Sequence, residues 1–479
     1  MIETIKLPEV FLGRMEKLLG TEYDDFLKSY GKERYYGLRR NSLKASAAEF
    51  EEKMPFALEP VKWAREGYYY QRDEQPGKHI LHEAGAYYIQ EPSAMAVVEI
   101  LDPKPAEYIL DLCAAPGGKS TQIAGRMMGE GLLVSNEIVP NRAKILSQNV
   151  ERMGIRNCVV CNETPESMAV FFPAFFDRIV VDAPCSGEGM FRKDETAVEE
   201  WSVEHVSMCA DRQLSILEEA AKMLKPGGVL VYSTCTFAPD ENEGTVSKFL
   251  HEHGEFYVEA VTYDNDFTKG RPDWISDPAE GIEYTMRLMP HRLKGEGHYI
   301  ARLRRQGCPD VIINQKKRRD ILVQKAGQEV YGERGRRRRE SSTVQEIKEF
   351  LTGELGLSKE WMERRSGIIQ TFGEQIYLMP VGMISLEGLK VLRPGLHLGT
   401  NRKNRIEPSH ALALSLSMEE TDQRMELTQE DAKRYLHGES LSCTDKKGWT
   451  LLTYEGYPLG FGKAANGQMK NHYPKGLRR

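Results

Sequence analysis

The sequence predicts an α/β protein whose central domain holds a mostly parallel, doubly wound sheet. Between residues 76 and 305, short apolar runs alternate with amphipathic stretches and turn signals, which is the spacing of strands that are each followed by a helix. Two of the apolar runs close with a cysteine in a polar turn, at Cys185 and Cys235. Ligands bind at the carboxyl ends of strands in open parallel sheets, so we expect both thiols at such an edge.

The composition is that of an ordinary soluble protein of several domains. The chain has 479 residues, 40% hydrophobic and 28% charged, and this length allows about three or four domains. No apolar run approaches the roughly 20 residues that span a bilayer, and the amino terminus lacks the apolar core of a signal peptide. The eight cysteines show no disulfide framework, which favours reduced thiols and a cytoplasmic location.

The net charge of −6 is unevenly distributed. Residues 306–345 contain ten Lys/Arg and five Asp/Glu and carry +5, which leaves −11 for the rest of the chain. A basic segment on an acidic protein is a common electrostatic footprint of nucleic-acid binding. A solvated linker is the plain alternative, and the two interpretations are compatible.

The first element group, residues 1–75, is expected to be a small α/β module. Helices are predicted over Leu7–Leu19 and Glu22–Tyr30, followed by an extended run over Tyr36–Lys44. Cations in and beside this run could contact RNA; they are Arg34, Arg39, Arg40 and Lys44. The adjacent tyrosines 68–70 could stack on bases, although such clusters more often pack at a domain boundary.

The second group, residues 76–305, supplies the central sheet. Strands are predicted over Glu107–Leu112, Gly131–Glu137, Cys158–Cys161, Arg178–Asp182 and Val229–Ser233. Helices are predicted over Gly118–Met128, Asn141–Met153 and Val206–Leu224, the last ended by the proline and glycines of residues 225–228. Two later runs, Tyr284–Met289 and His298–Leu303, resemble an antiparallel pair at the sheet edge.

Three further segments complete the chain. Residues 306–341 form a basic linker, and residues 342–405 an accessory domain with a helix over Ser342–Leu355 and a strand over Ile376–Pro380. Residues 406–479 are expected to be β-rich, with two hairpins that turn at 455–456 and 466–467. Three lysines there suit an RNA backbone or are ordinary surface residues; they are Lys463, Lys470 and Lys475.

The segment DLCAAPGGKS at 111–120 joins the first central strand to its helix. Gly117 and Gly118 let the backbone turn sharply and approach a ligand, and the helix amino terminus offers amides to an anion. A phosphate-binding P-loop would need glycine five residues before Gly118, where Cys113 stands. The sequence therefore excludes a P-loop ATPase.

Glu137 closes the second strand, where an acid can bind both hydroxyls of a ribose. Glu137 and the glycine turn together predict a cofactor that contains adenosine. They do not distinguish NAD from S-adenosyl-L-methionine. Cys158 and Cys161 form a C-x-x-C, but a zinc site needs a second pair or histidines at matching spacing. We therefore expect no metal.

Three segments resemble the signature motifs of the Nop/Sun family of RNA cytosine-5 methyltransferases, and within it the bacterial RsmF/YebU group. They are DLCAAPGGK at 111–119, DAPCSGEG at 182–189 and YSTCTFAPDENE at 232–243, and YIQEPSAM at 88–95 resembles the family's lead-in. The resemblance is strong over residues 1–305 and weaker beyond them. It implies a Rossmann-like class I methyltransferase domain at 76–305 and a PUA-like RNA-binding domain at 406–479.

The resemblance also implies a role for each site residue. Cys235 would be the nucleophile, Cys185 would assist product release, and Asp182 would lie between cofactor and target base. S-adenosylmethionine would be lined by Cys113, Ala114, Ala115, Pro116, Gly117, Gly118 and Lys119, and Glu137 would hold its ribose. One position departs from the family: Thr164 stands where an acid often faces the adenine, so either its hydroxyl or Glu163 would make that contact.

The implied reaction is methylation of carbon 5 of cytidines in RNA, above all in small-subunit (16S) ribosomal RNA. The Cys235 thiolate would add to carbon 6, and a protonated Asp182 would donate to the ring nitrogen. The target base must be unstacked, which favours single-stranded or locally opened RNA. The alternatives are a tRNA cytosine-5 methyltransferase, a small-molecule methyltransferase and a non-enzymatic RNA-binding ribosome assembly factor. We expect a monomer without membrane association.

Overall fold

The computed structural model describes residues 6–263, 266–308, 342–358, 361, 367–402 and 405–478. Apart from residues 306–308, the predicted basic linker lies outside this part of the chain.

The N-terminal module is a four-stranded antiparallel sheet in the order β2-β3-β1-β4 with short helices around it. Its strands are β1 Tyr36–Arg40, β2 Glu59–Pro60, β3 Gly67–Tyr70 and β4 Tyr87–Ile89. Its helices are α1 Glu9–Leu19, α2 Tyr23–Ser29, α3 Ala47–Lys53 and α4 Ile80–Glu83. The two predicted helices and the extended run are thus confirmed, with shorter bounds.

All four cations that could contact RNA donate to backbone oxygens of the protein itself. Arg39 is buried and donates to Gly118 O and to the side chains of Gln90 and Thr121. Arg40 donates to Ala45 O, and Lys44 to Ala84 O. Packing within the module and against the central domain thus supplies carbonyl acceptors for Arg39, Arg40 and Lys44. Of the four, Arg34 lies nearest the surface, where it donates to Lys193 O.

The central sheet has ten strands, and its core order is β7-β6-β5-β8-β9 with every neighbouring pair parallel. These strands are β5 Tyr108–Asp111, β6 Leu132–Asn136, β7 Cys158–Cys161, β8 Phe176–Asp182 and β9 Leu224–Thr234. Seven helices accompany them: α5 Pro92–Leu101, α6 Gly118–Met127, α7 Pro140–Arg152, α8 Pro165–Phe171, α9 Glu195–Glu199, α10 Val203–Met223 and α11 Thr245–Glu252. Separate apolar cores fill the two faces of the sheet, as a doubly wound fold requires.

Both edges of this sheet are antiparallel. On one side lie β10 Phe256–Val258, β11 Thr268–Lys269, β12 Met286–Leu288 and β13 His298–Arg305. The predicted antiparallel pair is therefore confirmed. Helix α10 ends at Met223, which confirms its predicted end to within one residue, and residues 225–228 lie inside β9. Gly227 there has φ +74° and the register with β8 shifts nearby, so the proline and glycines bend a strand that has already begun.

The accessory region contributes a sheet of its own and one strand to the central sheet. Its sheet has the order β14-β15-β17-β18 and consists of β14 Gly367–Phe372, β15 Gln375–Pro380, β17 Leu396–Arg402 and β18 Arg405–Pro408, flanked by α12 Ser342–Glu349 and α13 His410–Ser415. Strand β16, Val391–Arg393, pairs antiparallel with β7. Arg393 is buried there and donates to Ser147 and Glu151 of α7. The sequence did not predict that the accessory region would add a strand to the central sheet.

The carboxyl-terminal module is a five-stranded sheet in the order β19-β21-β22-β23-β20. It contains β19 Arg424–Glu426, β20 Leu441–Ser442, β21 Gly448–Tyr454, β22 Tyr457–Ala465, β23 Gln468–Asn471 and α14 Gln429–His437. Residues 455–456 and 466–467 all have positive φ, as tight hairpin turns require. The two predicted hairpins are confirmed. Lys463, Lys470 and Lys475 are exposed, which is consistent both with contact to an RNA backbone and with ordinary surface lysines.

A buried ion pair fixes the segment after Cys235 to β12. Arg287 is 1% exposed; its Nε donates to Glu243 Oε1 at 2.7 Å and its Nη1 to Phe237 O at 3.0 Å. Glu243 is fully buried. Arg287→Met would leave that carboxylate without its charge partner, and we expect it to lower the free energy of unfolding by about 3–5 kcal/mol.

Urea unfolding followed by circular dichroism measures this loss. Arg402→Met is the matched control, because its pair with Glu374 is exposed and is worth at most about 1 kcal/mol. The double variant Arg287→Met/Glu243→Leu should recover much of the stability. Equal losses for the two single arginine variants would show that burial does not strengthen this pair.

Candidate active site

The site lies where the order of the parallel strands reverses, at the carboxyl ends of β5, β6, β8 and β9. Strand β5 has β6 on one side and β8 on the other, so the helices that follow these two strands diverge and leave a cleft. Asp182 is the last residue of β8 and is paired in register with Ser233 of β9. Cys235 follows β9 directly. Asp182 and Cys235 therefore lie at the edge of the sheet where the sequence predicted them.

The two thiols are adjacent. Cys185 Sγ lies 3.3 Å from Cys235 Sγ and accepts the Cys235 amide at 3.4 Å. The Gly189 amide donates to Cys235 O at 2.9 Å, which ties the two loops together. The hydrogen bond to Cys235, together with burial, raises the pKa of Cys185 well above its usual value. The two sulfurs are close enough for either thiol to donate a hydrogen bond to the other.

Glu241 holds the Cys185 loop, a role that was not assigned from the sequence although Glu241 lies inside the third motif. Its fully buried carboxylate accepts the Ser186 amide at 2.9 Å, the Ser186 hydroxyl, and Gln213 Nε2 at 2.8 Å. Tyr232 donates to its backbone oxygen at 2.6 Å. Burial raises the pKa of Glu241 to about 7. The cluster of acidic residues after Cys235 is the sequence feature that could have identified Glu241.

Lys119 and Asp182 form an ion pair at the floor of the cleft. Lys119 Nζ lies 2.6 Å from Asp182 Oδ2, and the Ser233 hydroxyl donates to Oδ1 at 2.7 Å. Burial raises the pKa of Asp182, but Lys119, His298 and the Ser233 hydroxyl outweigh it, so the pKa lies below its usual value. This differs from the expectation of a protonated Asp182, because a cation from the glycine-turn helix occupies the place where the proton was expected.

His298, the first residue of β13, is a further site residue that was not identified from the sequence. It is buried, its Nδ1 has no hydrogen-bond partner among the described residues, and it interacts electrostatically with Lys119 and Asp182. Burial, with the nearby Lys119, lowers the pKa of His298. No local motif marks this residue, since only strand pairing brings β13 beside β9.

The glycine turn has the geometry that the sequence predicted. Gly117 has φ +115° and Gly118 begins α6, so the first amides of this helix have no intrahelical partner. Arg142 and Asn149 of α7 donate to Ala115 O at 2.9 Å and Pro116 O at 2.8 Å, which braces the turn. The turn thus presents backbone donors to the cleft on a fixed support.

The ends of β6 and β7 form the other half of the cleft. Glu137 is buried; its Oε1 accepts the Val139 amide at 2.9 Å, and Ile138 beside it is 54% exposed. Thr164 caps α8 by accepting the Ser167 amide and keeps its hydroxyl proton available to donate. Glu163 is buried and accepts the Lys390 amide at 2.7 Å. Of the two alternatives for the adenine contact, this arrangement favours Thr164.

These residues fit a cofactor that combines an amino-acid carboxylate with adenosine. The unpaired amides at the start of α6 suit the carboxylate, Glu137 suits the ribose hydroxyls, and the exposed Ile138 suits an apolar ring face.

Beneath the turn, Asp111 accepts from Ser120 through Oδ2, and its buried Oδ1 has no hydrogen-bond partner in the described residues. Burial raises the pKa of Asp111 to about 7.

Cys158 and Cys161 cannot act together as metal ligands, since they pack into opposite faces of the central sheet. In the part of the chain that the structure describes, no cluster of three or more His, Cys, Asp or Glu side chains could hold a metal ion. No helix among the described residues is both long enough and apolar enough to cross a membrane.

Four family models match consecutive parts of the chain. They are the N-terminal domain of 16S rRNA methyltransferase RsmF over residues 7–92, 16S rRNA methyltransferase RsmB/F over 98–304, the first C-terminal domain of RsmF rRNA methyltransferase over 354–416, and the methyltransferase RsmF PUA domain over 422–479.

Similar whole proteins carry the same description. The ribosomal RNA small subunit methyltransferases F of Vibrio vulnificus and Escherichia coli are 31% and 30% identical, covering 100% and 99% of this chain and 98% and 97% of theirs. Among solved structures, a methyltransferase homolog protein from Pyrococcus horikoshii matches with a TM-score of 0.56 and 28% identity, over 63% of this chain and 96% of its own. NSun6 from the same organism, solved with SFG, shares the fold with a TM-score of 0.54 at 22% identity, over 63% of this chain and 99% of its own.

Proposed function

The chain belongs to the RsmB/F family of 16S rRNA methyltransferases, with RsmF-type domains from end to end, and we propose that it methylates carbon 5 of specific cytidines in 16S ribosomal RNA. The observation that carries this proposal is the pair of thiols 3.3 Å apart beside the Lys119–Asp182 ion pair. A methyl transfer to nitrogen or oxygen needs no nucleophilic thiol, whereas carbon 5 of cytosine must first be activated by addition at carbon 6.

S-adenosylmethionine, when bound, supplies an electrophilic methyl group on its sulfonium sulfur. We assign its binding to the turn from Cys113 to Lys119, to Glu137 and to Thr164. The buried Glu137 carboxylate would accept from the ribose hydroxyls, and the amides at the start of α6 would bind the carboxylate. With the cofactor bound by these residues, Asp182 would lie between it and the target base.

Cys235 acts as the nucleophile in this proposal. Its thiolate would add to carbon 6 of the cytosine, and the electron pair displaced towards carbon 5 would attack the methyl group. The bond from that methyl group to the sulfonium sulfur would break, with the demethylated thioether as the leaving group. The neutral Cys185 thiol, 3.3 Å away, stabilises the Cys235 sulfur by a hydrogen bond both when it attacks and when it leaves. A base then takes the proton from carbon 5, the double bond reforms, and the carbon–sulfur bond breaks.

The Lys119–Asp182 pair orients the base. The ionised Asp182 accepts from the exocyclic amino group of cytosine, and the Lys119 ammonium donates to the ring nitrogen or carbonyl oxygen, where negative charge develops during addition. Uracil has a carbonyl oxygen where cytosine has its amino group, so the Asp182 carboxylate would repel it. The ion pair would thus both stabilise the negative charge that develops on the ring and select cytosine over uracil.

We further propose the five segments of the sequence-based division, which was drawn at residues 75, 305, 341 and 405, with the first boundary moved beyond β4 and the last beyond β18, because those strands complete the N-terminal and accessory sheets. The terminal modules would then bind RNA around the catalytic domain. The N-terminal and carboxyl-terminal sheets share one apolar core that includes Leu38, Tyr87, Tyr435 and Tyr457, which supports a fixed spacing between them.

Methyl transfer from labelled S-adenosylmethionine tests the function. We expect label in 16S rRNA, either naked or assembled in small subunits, and 5-methylcytidine after digestion to nucleosides. Transfer RNA is the comparison substrate and should remain unlabelled. Label in tRNA alone would identify a tRNA methyltransferase, and cofactor binding without transfer to any RNA would contradict the enzymatic function.

A further inference from the structure

A cavity of about 320 Å³ separates the N-terminal module from the catalytic domain. It is lined by Glu59, Pro60, Lys62, Trp63 and Tyr69, by residues 290–294, and by Lys32, Tyr35, Arg192 and Asp266. We propose that this cavity, here called the flank pocket, binds one unpaired nucleotide of the RNA next to the target cytidine. The proposal rests on the proposed function for the identity of the ligand.

The first argument is size and shape. The volume is near the lower end of the roughly 300–1,000 Å³ found for small-molecule sites, which suits one nucleotide and not a helix. Trp63 and Tyr69 are fixed in the wall: Trp63 Nε1 donates to Pro92 O at 2.8 Å, and the Tyr69 hydroxyl to Lys294 O at 2.9 Å. Tyr35 meets Tyr69 edge to face at 5.9 Å and is 38% exposed, so its ring is available for a base to stack on.

The second argument is that Arg192 is a cation held rigidly in the lining. Arg192 is 8% exposed, and its Nε lies 3.7 Å from Oε2 of Glu296, which is 3% exposed behind it. Its Nη2 donates to Lys32 O and Glu33 O. The pocket therefore has a positively charged group in its wall, in a fixed position, beside the exposed ring of Tyr35.

The third argument is the charge around the opening. Lys294 is paired with Glu59 at 2.6 Å and Arg292 with Glu22 at 2.8 Å. Lys32 and Lys62 are exposed, and neither forms an ion pair with a described residue. Unpaired cations at the rim of an aromatic pocket suit the phosphates on either side of a bound nucleotide.

The flank pocket is also joined to the active site. Arg192 follows Cys185 in the same loop and donates to Lys32 O. Glu296 precedes Gly297, and a Cβ on Gly189 would lie 2.6 Å from Gly297 O and 2.9 Å from Cys235 O. Arg192 in the pocket lining and the nucleophile are therefore connected through contacting loops, which supports placing the bound nucleotide next to the target cytidine.

Tyr35 gives the first test. Fluorescence anisotropy would measure the Kd for a labelled single-stranded RNA of about 12 nucleotides with a central cytidine, a length near the site size of single-strand binders. We expect Tyr35→Ala to weaken binding about tenfold or more, because stacking is lost, and Tyr35→Phe to bind like wild type. Tyr257→Ala is the matched control, since Tyr257 is 42% exposed on the edge strand β10. Equal affinities for Tyr35→Ala and wild type would overturn the proposal.

Lys62 gives the second test, on the phosphate contact. The slope of log K against log salt should fall in magnitude by about 0.7 in Lys62→Ala, the value for one contact to a single strand. Lys248→Ala removes an exposed lysine of α11 and should leave the slope unchanged. An unchanged slope in Lys62→Ala would contradict the phosphate contact.

These outcomes separate the pocket from the catalytic function. RNA binding that depends on Tyr35, in a protein that transfers no methyl group, would leave the pocket standing and contradict the proposed function. Methyl transfer with no dependence of RNA binding on Tyr35 or Lys62 would do the reverse. If the variants bound naked RNA normally but lost affinity for small ribosomal subunits, the pocket would bind a ribosomal protein, and the nucleotide proposal would be wrong.

Discussion

Cys235→Ala is expected to abolish the covalent adduct with RNA that contains 5-azacytidine, whereas Cys185→Ala should still form it. In 5-azacytidine a nitrogen replaces carbon 5, so no proton can be lost after methylation and the thiolate stays attached. The motif resemblance assigns the attack to Cys235, and the 3.3 Å between the two sulfurs lets Cys185 assist it by a hydrogen bond. Denaturing electrophoresis of labelled RNA measures the adduct.

The control for this pair is Cys308→Ala, which removes an exposed cysteine that the site does not contain. It should form the adduct like wild type. With ordinary cytidine RNA, Cys185→Ala should accumulate adduct, because loss of the hydrogen bond slows departure of Cys235. An adduct in Cys235→Ala but not in Cys185→Ala would reverse the two roles.

Asp182→Asn and Lys119→Met are each expected to lower kcat by about 10²–10³, the usual effect of removing one group that stabilises developing charge. Asp182→Asn presents an amide in place of the carboxylate, so the acceptor for the cytosine amino group is weakened. Lys119→Met removes the donor to the ring. Single-turnover methylation of 16S rRNA measures the rate, and anisotropy measures RNA affinity, which should change little.

The matched control is Lys104→Met, because Lys104 forms the same type of pair with Asp102 at 2.7 Å but on the surface. It should keep the wild-type rate. Since Lys119 and Asp182 act on one base, the double variant should lose less than the product of the single losses. Full kcat with a lowered melting temperature in either single variant would mean that the pair only stabilises the fold.

Much of the fold followed from local patterns. The apolar runs that became β5 to β8 were placed to within a residue or two, because a buried parallel strand needs a short, continuous apolar stretch. The two hairpin turns at 455–456 and 466–467 followed from residues that tolerate positive φ. The glycine turn was equally local, since Gly117 takes a conformation that few other residues adopt.

The exceptions each depended on a distant partner. Arg39 and Lys44 have the sequence pattern of surface cations, but Gly118 of α6 and Ala84 accept their hydrogen bonds. Residues 225–228 follow the end of α10 as their sequence predicts, yet Leu224 and Val229 on either side of them pair with β8, so they form an irregularity inside a strand. Strand β16 is a three-residue run with no signal of its own, and only the open edge of β7 made it a strand.

The sequence by itself determined the order of most elements and that the residues of the three motifs reach the cleft, because both depend on local periodicity and on which residue ends each strand. Only the tertiary structure decided how those residues act on one another. It brought the thiols to 3.3 Å, set Lys119 against Asp182, and placed Glu241 and His298 behind them. Charge state, pKa and hydrogen bonding depend on distances between groups far apart in the chain, and no local pattern specifies such distances.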